Sequence, residues 1–247
     1  MELFEQTFTD IRNYIEGKKC QSWTATQRKN LWPSGKGRNV VLSDEMGVEL
    51  GNPQMNSVSC LIWTEKPDLV SDGKISLIGP DVKESNGKSL PFGKIVLVGV
   101  RGFDEESTYD KYKEMEAVRY SLDLKGYMIR AVSQYQREWS RISKEALGNS
   151  FSFDILGSAL REEYLKKSFV HAVEFLFVTS SAEDIGQLQE ITKNVGRTIS
   201  ALNKMLSEID PDCDECEYND VCDEVAELKG MRKKRDEKRM KSNGLKN

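Results

Sequence analysis

The chain has 247 residues, of which 38% are hydrophobic and 31% are charged, and its formal net charge is −4. This length can bury a proper core and suits one large domain or two small ones. The acidic balance gives no reason to expect a nucleic-acid partner, and no apolar run approaches the roughly 20 residues of a membrane span. Because the first residues also lack a basic start and an apolar core, we expect no signal peptide and a cytoplasmic location.

Residues 1–90 predict an N-terminal helix followed by a small β-rich unit. Apolar side chains at helical spacing predict an amphipathic helix over residues 2–16, and these side chains are Leu3, Phe4, Phe8, Ile11 and Ile15. Strand-like runs follow at residues 39–43, 58–64 and 74–79, and Gly-Asn-Pro and Ser-Asp-Gly turn sequences separate them.

Residues 91–209 predict a layered unit in which strands and helices alternate. We expect strands at residues 94–100, 138–143 and 170–179, and helices at residues 104–124, 153–167 and 182–209. This β-α-β-α-β-α order, added to the first part, indicates an α+β fold with α/β layers. Because the sequence contains one histidine, His171, a two-histidine metal site is excluded. His171 itself is expected to be a packed structural residue of the last strand.

Residues 210–247 predict a cysteine-rich metal loop followed by a charged tail. Three of the five cysteines, Cys213, Cys216 and Cys222, have the spacing C-x2-C-x5-C, and the first pair can present two thiolates to one ion. Eight carboxylates between residues 210 and 224 raise thiol pKa values, whereas a bound cation holds the sulfurs deprotonated. The segment therefore predicts an iron–sulfur cluster, with four irons as the expected type.

A four-iron cluster takes four thiolates, so Cys60, Cys20 or a partner chain must supply the last ligand. Zinc with an acidic or water fourth ligand is the alternative metal. A solvated acidic loop with reduced cysteines is the alternative to any metal site. Residues 229–241 mix many Lys and Arg with two acidic residues, which predicts a solvated tail, with a docking arm as the alternative.

Five stretches occur in the same order as in a known family. Four of them are VELGNP from Val48, DGKISLIGPD from Asp72, PFGKIV from Pro91 and WSRISKEA from Trp139, and the fifth is the C-x2-C pair after a long helix. Together they resemble the acetyl-CoA synthase β subunit of carbon monoxide dehydrogenase/acetyl-CoA synthase complexes. The likeness covers residues 45–222.

The resemblance implies roles for individual residues. Cys213 and Cys216 match the first two cysteines of the family's A-cluster loop, and Cys222 matches the third with a spacing of five residues instead of eight. The family's later cubane cysteine and the downstream Cys-Gly-Cys that holds its distal nickel have no counterpart in this sequence, so nickel is not expected. Trp139 and Arg141 fall where the family is associated with coenzyme A, although a packed aromatic residue and a surface cation explain them equally well.

Three functional hypotheses follow from the resemblance and the cysteines. The first is an iron–sulfur protein of anaerobic one-carbon and acetyl-CoA metabolism, with an electron-transfer or accessory role. The second is a non-catalytic module that docks a corrinoid protein or another enzyme subunit and uses its metal structurally. The third is a CO-methylating acetyl-CoA synthase activity whose nickel site a partner completes. Coenzyme A is a further candidate ligand.

Overall fold

The computed structural model describes residues 2–26, 32–36, 40–133, 136–207 and 216–244, with the side chains of 236 and 238–244 excepted. The described strands are β1 (Cys20–Thr24), β2 (Met46–Leu50), β3 (Ser57–Thr64), β4 (Lys74–Ile78), β5 (Phe92–Val100), β6 (Tyr127–Ser133), β7 (Arg137–Ser143) and β8 (Val170–Val178). The described α-helices are α1 (Glu5–Ile15), α2 (Thr108–Glu116), α3 (Val118–Ser121), α4 (Lys144–Gly148), α5 (Phe153–Leu165), α6 (Ala182–Ser207), α7 (Asn219–Glu224) and α8 (Ala226–Gly244). The predicted α+β class is confirmed.

The larger sheet has five strands in the order β1-β4-β8-β5-β3, so β1 and β3 are its edges. β3 pairs with β5 and β4 with β8 in parallel, whereas β5 and β8 are antiparallel. Every residue of β3 and β5 is buried, which explains why residues 94–100 read as a continuous apolar run in the sequence. β4 precedes the predicted boundary between residues 90 and 91 and β5 follows it, so this boundary falls between two strands of one sheet.

The smaller sheet is antiparallel, with the order β2-β7-β6. Its inner face packs toward the larger sheet, because Ser57 Oγ of β3 donates a hydrogen bond of 2.7 Å to the Glu138 carbonyl of β7. Its outer face is half-exposed along β7, where the burial of successive residues alternates. The two sheets are thus joined through polar side chains as well as apolar contacts.

The strand expected at residues 39–43 is wrong. Residues 40–43 are irregular and Asn39 lies outside the described residues, whereas the strand β2 begins at Met46. Val40 and Leu42 are 64% and 55% exposed, so their apolar side chains have no sheet to pack against. Hydrophobic alternation alone cannot distinguish such a segment from a strand.

The helix expected over residues 104–124 is shorter and divided. Asp104 Oδ1 accepts hydrogen bonds from the backbone of Glu106 and Ser107, which forms a turn and delays the helix to Thr108. The helical pattern is then interrupted at Ala117, between α2 and α3. The charged, weakly periodic composition of this region did not reveal either boundary.

The helix predicted from residue 182 is confirmed as α6 over Ala182–Ser207, and residues 208–209 lie outside the described residues. Ser181 Oγ accepts a 3.1 Å hydrogen bond from the Asp184 N–H and so caps the start of the helix. Its apolar stripe is buried against the larger sheet, and Gln189 Nε2 donates to the Ser57 carbonyl at 3.0 Å. The helix therefore carries the chain from the sheet toward the cysteine segment on a rigid support.

The C-terminal helices return to α6. Val221 and Cys222 of α7 and Leu228 and Met231 of α8 are buried. The expectation of a solvated tail from residue 229 is therefore wrong for Met231, which packs because it lies one turn after Leu228 on the buried side of α8. Within the described ranges, no helix is both long and apolar enough to cross a membrane.

Candidate metal centre

Cys216 and Cys222 line the same small cavity, where α6, α7 and α8 meet. The cavity measures about 20 Å³, which is room for one water-sized ion. Its other walls are apolar, amide, phenolic and cationic side chains, namely Ala201, Lys204, Met205, Tyr218, Asn219 and Arg232. Cysteine sulfurs are ligands that a soft or borderline metal ion prefers, so this shared cavity is the place where the predicted metal site can be considered.

The charges around this cavity differ from a purely acidic shell. Asp220 and Asp223 pair with arginines, at 2.7 Å to Arg197 and 3.4 Å to Arg232. Hydrogen bonds from Arg197 hold the pKa of Asp220 below its ordinary value. Because Lys204 and Arg232 also line the cavity, cations and not carboxylates face the two thiols among the described residues.

The remaining predicted ligands lie elsewhere or outside the described residues. Cys213 lies outside the described residues. Cys60 is buried on the edge strand β3, and burial raises the pKa of its thiol. Cys20 is on β1, at the opposite edge of the same sheet. Among the described residues, no three His, Cys, Asp or Glu side chains converge as a metal site, so the full ligand set stays a prediction.

The two residues expected to bind coenzyme A lie together on the outer face of the smaller sheet. The Arg141 guanidinium is 5.4 Å from the centroid of the Trp139 ring, and Arg141 Nε donates to Glu49 Oε1 at 2.9 Å. Arg130 is 5.7 Å from the same ring, because a β-bulge between Ile129 and Ala131 displaces it from the regular alternation. Sequence reasoning missed Arg130, since nothing in the local pattern marks the bulge.

The indole N–H of Trp139 is buried and has no hydrogen-bond acceptor among the described residues. The donors that the face formed by Arg130, Trp139 and Arg141 offers to a ligand are therefore its two guanidinium groups, and one of these contacts Glu49. Guanidinium groups next to an aromatic plane suit a ligand that combines a flat ring with an anionic group.

A second set of residues that the sequence did not reveal is a buried charge network between the two sheets. Lys94 of β5 and Glu138 of β7 form a salt bridge, with side chains 4% and 0% exposed. Arg119 lies 3.9 Å from the Glu138 carboxylate, and Ser59 Oγ donates to it at 3.2 Å. Burial opposes ionisation of Glu138, but Lys94 and Arg119 together hold its pKa below the ordinary range.

The stretches that carry the family resemblance have structural roles at the junctions of elements. Gly79 has φ +107° where β4 ends, and it lies directly against the backbone of Ser180 before α6. Asp81 Oδ1 accepts hydrogen bonds from Val82 N at 2.7 Å and from Phe153 N at 3.1 Å, so it ties the end of β4 to the start of α5. These residues therefore explain a shared fold without implying a shared reaction.

Comparison with known proteins finds relatives among subunits of acetyl-CoA decarbonylase/synthase and carbon monoxide dehydrogenase/acetyl-CoA synthase complexes. The acetyl-CoA decarbonylase/synthase complex subunit beta of Methanopyrus kandleri is 28% identical over 173 residues, which cover 69% of this chain and 36% of the relative. Subunit beta 1 of Methanosarcina thermophila is 26% identical over 174 residues, with coverages of 70% and 36%. The carbon monoxide dehydrogenase/acetyl-CoA synthase subunit alpha of Moorella thermoacetica is 27% identical over 162 residues, with coverages of 62% and 21%.

The chain spans about a third of the length of the beta subunits that it matches. A model of the CO dehydrogenase/acetyl-CoA synthase complex beta subunit family matches residues 33–184. This range contains every described strand except β1 and ends near the start of α6, before the cysteine segment. Because the match covers more than half of the chain, the chain belongs to the CO dehydrogenase/acetyl-CoA synthase complex beta subunit family.

Proposed function

We propose that this chain is a metal-binding accessory subunit of a complex of the CO dehydrogenase/acetyl-CoA synthase type, with an iron–sulfur cluster on its C-terminal thiols. Family membership supports the association with such a complex. The observation that carries the metal site is the common cavity of Cys216 and Cys222. The C-x2-C spacing adds Cys213 as a third ligand, and a group of a partner chain is the fourth, because the predicted Cys60 does not line this cavity.

A bound cluster would supply one-electron transfer at low potential, which suits a role beside a corrinoid protein or another subunit. The residues of this chain hold and screen that centre. Lys204 and Arg232 bring positive charge to the wall of the cavity that both cysteines line. Tyr218 and Met205 supply the less polar part of the wall, which limits access of water to the sulfurs.

Protein purified without oxygen is expected to be brown and to contain about four irons and four sulfides per chain. Cys216→Ser should lose most of this iron, because it removes the thiol of a residue that lines the cavity. Cys20→Ser is the matched control, since Cys20 lies on an edge strand and its thiol donates to the Gln21 carbonyl. Iron and sulfide analysis with an electronic spectrum measures both variants.

Colourless protein with stoichiometric zinc would contradict the iron–sulfur proposal, as would equal iron loss in the two serine variants. Nickel bound together with acetyl transfer to coenzyme A would instead support a synthase completed by a partner chain.

The size of the cavity favours a second candidate function, a docking module with a single structural ion such as zinc. A space of about 20 Å³ admits one ion without displacement of the walls. In that case one zinc per chain stabilises the contact of α7 and α8 with α6, and a corrinoid protein or another subunit binds elsewhere on the fold. Zinc removal by a chelator would then lower the melting temperature, and the reloaded protein would retain partner binding without any redox signal.

We also propose that the face formed by Arg130, Trp139 and Arg141 binds coenzyme A. Trp139→Ala and Arg130→Gln are each expected to weaken binding about 5- to 30-fold, because a desolvated cation–π or charge-assisted contact contributes about 1–2 kcal/mol. Calorimetric titration with coenzyme A measures the change. Arg161→Gln is the control, since Arg161 is a half-buried arginine of α5 whose Nε donates to Asp72 Oδ1 at 3.0 Å. Equal weakening in all three variants would argue against a specific site.

A further inference from the structure

Arg197 of α6 holds the segment between the two described thiols. Its Nη1 and Nη2 donate to the two carboxylate oxygens of Asp220 at 2.8 and 2.7 Å, and Nη2 also donates to the Glu217 carbonyl at 3.0 Å. Glu217 and Asp220 both lie between Cys216 and Cys222 in the sequence. One guanidinium therefore fixes a side chain and a backbone carbonyl of this segment at the same time.

Arg232 of α8 contacts the same segment at Asn219 and also contacts Asp223, which directly follows Cys222. Its Nη1 donates to Asn219 Oδ1 at 2.5 Å, and its Nη2 lies 3.4 Å from Asp223 Oδ1. The helix that carries it is itself anchored, because Leu228 and Met231 are buried and Arg235 Nη1 donates to the Met205 carbonyl at 2.5 Å. The segment is thus held from α6 by one arginine and from α8 by another.

Fold stability alone is a weak reason for these contacts. The side chains of Arg197 and Asp220 are 40% and 60% exposed, and exposed ion pairs typically contribute only about 0–1 kcal/mol. A bidentate guanidinium–carboxylate pair instead fixes the relative orientation of its two side chains, because both N–H···O bonds must align at the same time. Orientation matters most where two ligands must face one ion, and residues that hold ligands in place typically change metal affinity about 10- to 100-fold.

We infer that Arg197 and Arg232 are positioning residues of the thiolate metal site, which hold Cys216 and Cys222 toward one cavity before a metal binds. This inference rests on the proposed metal-binding function. Arg197 acts through Glu217 and Asp220, whereas Arg232 acts through Asn219 and Asp223 and also lines the cavity.

The test compares Arg197→Gln and Arg232→Gln with Lys193→Gln. Lys193 is the matched control, because it lies one turn before Arg197 on α6 and pairs with Glu190 of the same helix, not with the cysteine segment. Arg197→Lys is a second comparison, since it keeps the charge but loses the two-pronged geometry. Each full-length variant is measured in two ways, by Zn²⁺ affinity from chelator competition and by the alkylation rate of Cys216 in metal-free protein. The Co²⁺-loaded forms add the sulfur-to-cobalt absorption band as a spectroscopic readout.

Each arginine-to-glutamine variant is expected to weaken Zn²⁺ binding about 10-fold or more, reduce the cobalt–sulfur band, and raise the alkylation rate of Cys216. Arg197→Lys should resemble Arg197→Gln more than wild type. Affinities and rates within twofold of those of Lys193→Gln would overturn the inference. If wild type binds no metal, the proposed function fails separately. The alkylation rates then decide whether Arg197 and Arg232 hold the cysteine segment in place: faster alkylation in the variants supports this, and unchanged or slower alkylation overturns it.

Discussion

Lys94→Met is expected to lower the free energy of unfolding by about 3 kcal/mol, because it leaves the fully buried carboxylate of Glu138 without its closest cation. Breaking a buried ion pair from one side costs about 3–5 kcal/mol. We expect the lower end of this range, since Arg119 remains 3.9 Å from the same carboxylate and Ser59 still donates to it. Urea denaturation of the two proteins measures the difference.

Two further variants separate an uncompensated charge from a loss of packing. Lys94→Met combined with Glu138→Leu should recover much of the loss, because replacing both members of a buried pair by apolar residues is close to neutral. Lys113→Met removes an exposed lysine that pairs with Asp110, and it should change stability by less than about 1 kcal/mol. A double variant that is less stable than Lys94→Met alone would show that the pair itself stabilises the contact between the sheets.

Elements with strong hydrophobic patterns could be predicted from the sequence, and those without could not. β3, β5 and β8 could be predicted because apolar residues predominate in strands that are buried on both faces, and α6 because it has a long apolar stripe. β1 and β6 were missed because most of their residues are exposed or only half-buried, which leaves no clear alternation. The partner of Lys94 could not be predicted either, since a lysine in an apolar run does not reveal which carboxylate on another sheet will pair with it.

Part of the candidate site could likewise be predicted from the sequence, and part of it could not. The cysteine spacing indicates that Cys216 and Cys222 can bind one metal ion, because spacing along the chain is a local property of the sequence. The arginines that hold them come from α6 and α8, and only the packing of three helices brings these residues together. Trp139 and Arg141 were expected from a resemblance, whereas Arg130 joins them through a bulge that has no sequence signature.

Gly79→Ala is expected to destabilise the protein by about 3–5 kcal/mol, through backbone strain and a steric clash together. Gly79 has φ +107°, which L-residues rarely adopt, and an added Cβ would lie 2.7 Å from Ser180 Cα. Ser180 immediately precedes the capping residue of α6, so neither backbone can move without displacing that helix. Thermal and urea unfolding measure the loss.

Gly102→Ala separates the two contributions. Gly102 also has a positive φ, of +68°, but nothing lies within 4 Å of an added Cβ, so this variant carries backbone strain alone, about 1–2 kcal/mol. Gly186→Ala, in α6 with an open environment, should be neutral or stabilising by up to about 1 kcal/mol. If Gly79→Ala costs no more than Gly102→Ala, the approach of β4 to the start of α6 is not tight. Because α6 carries Arg197 and the wall of the thiol cavity, a loss specific to Gly79→Ala should be accompanied by weaker metal binding.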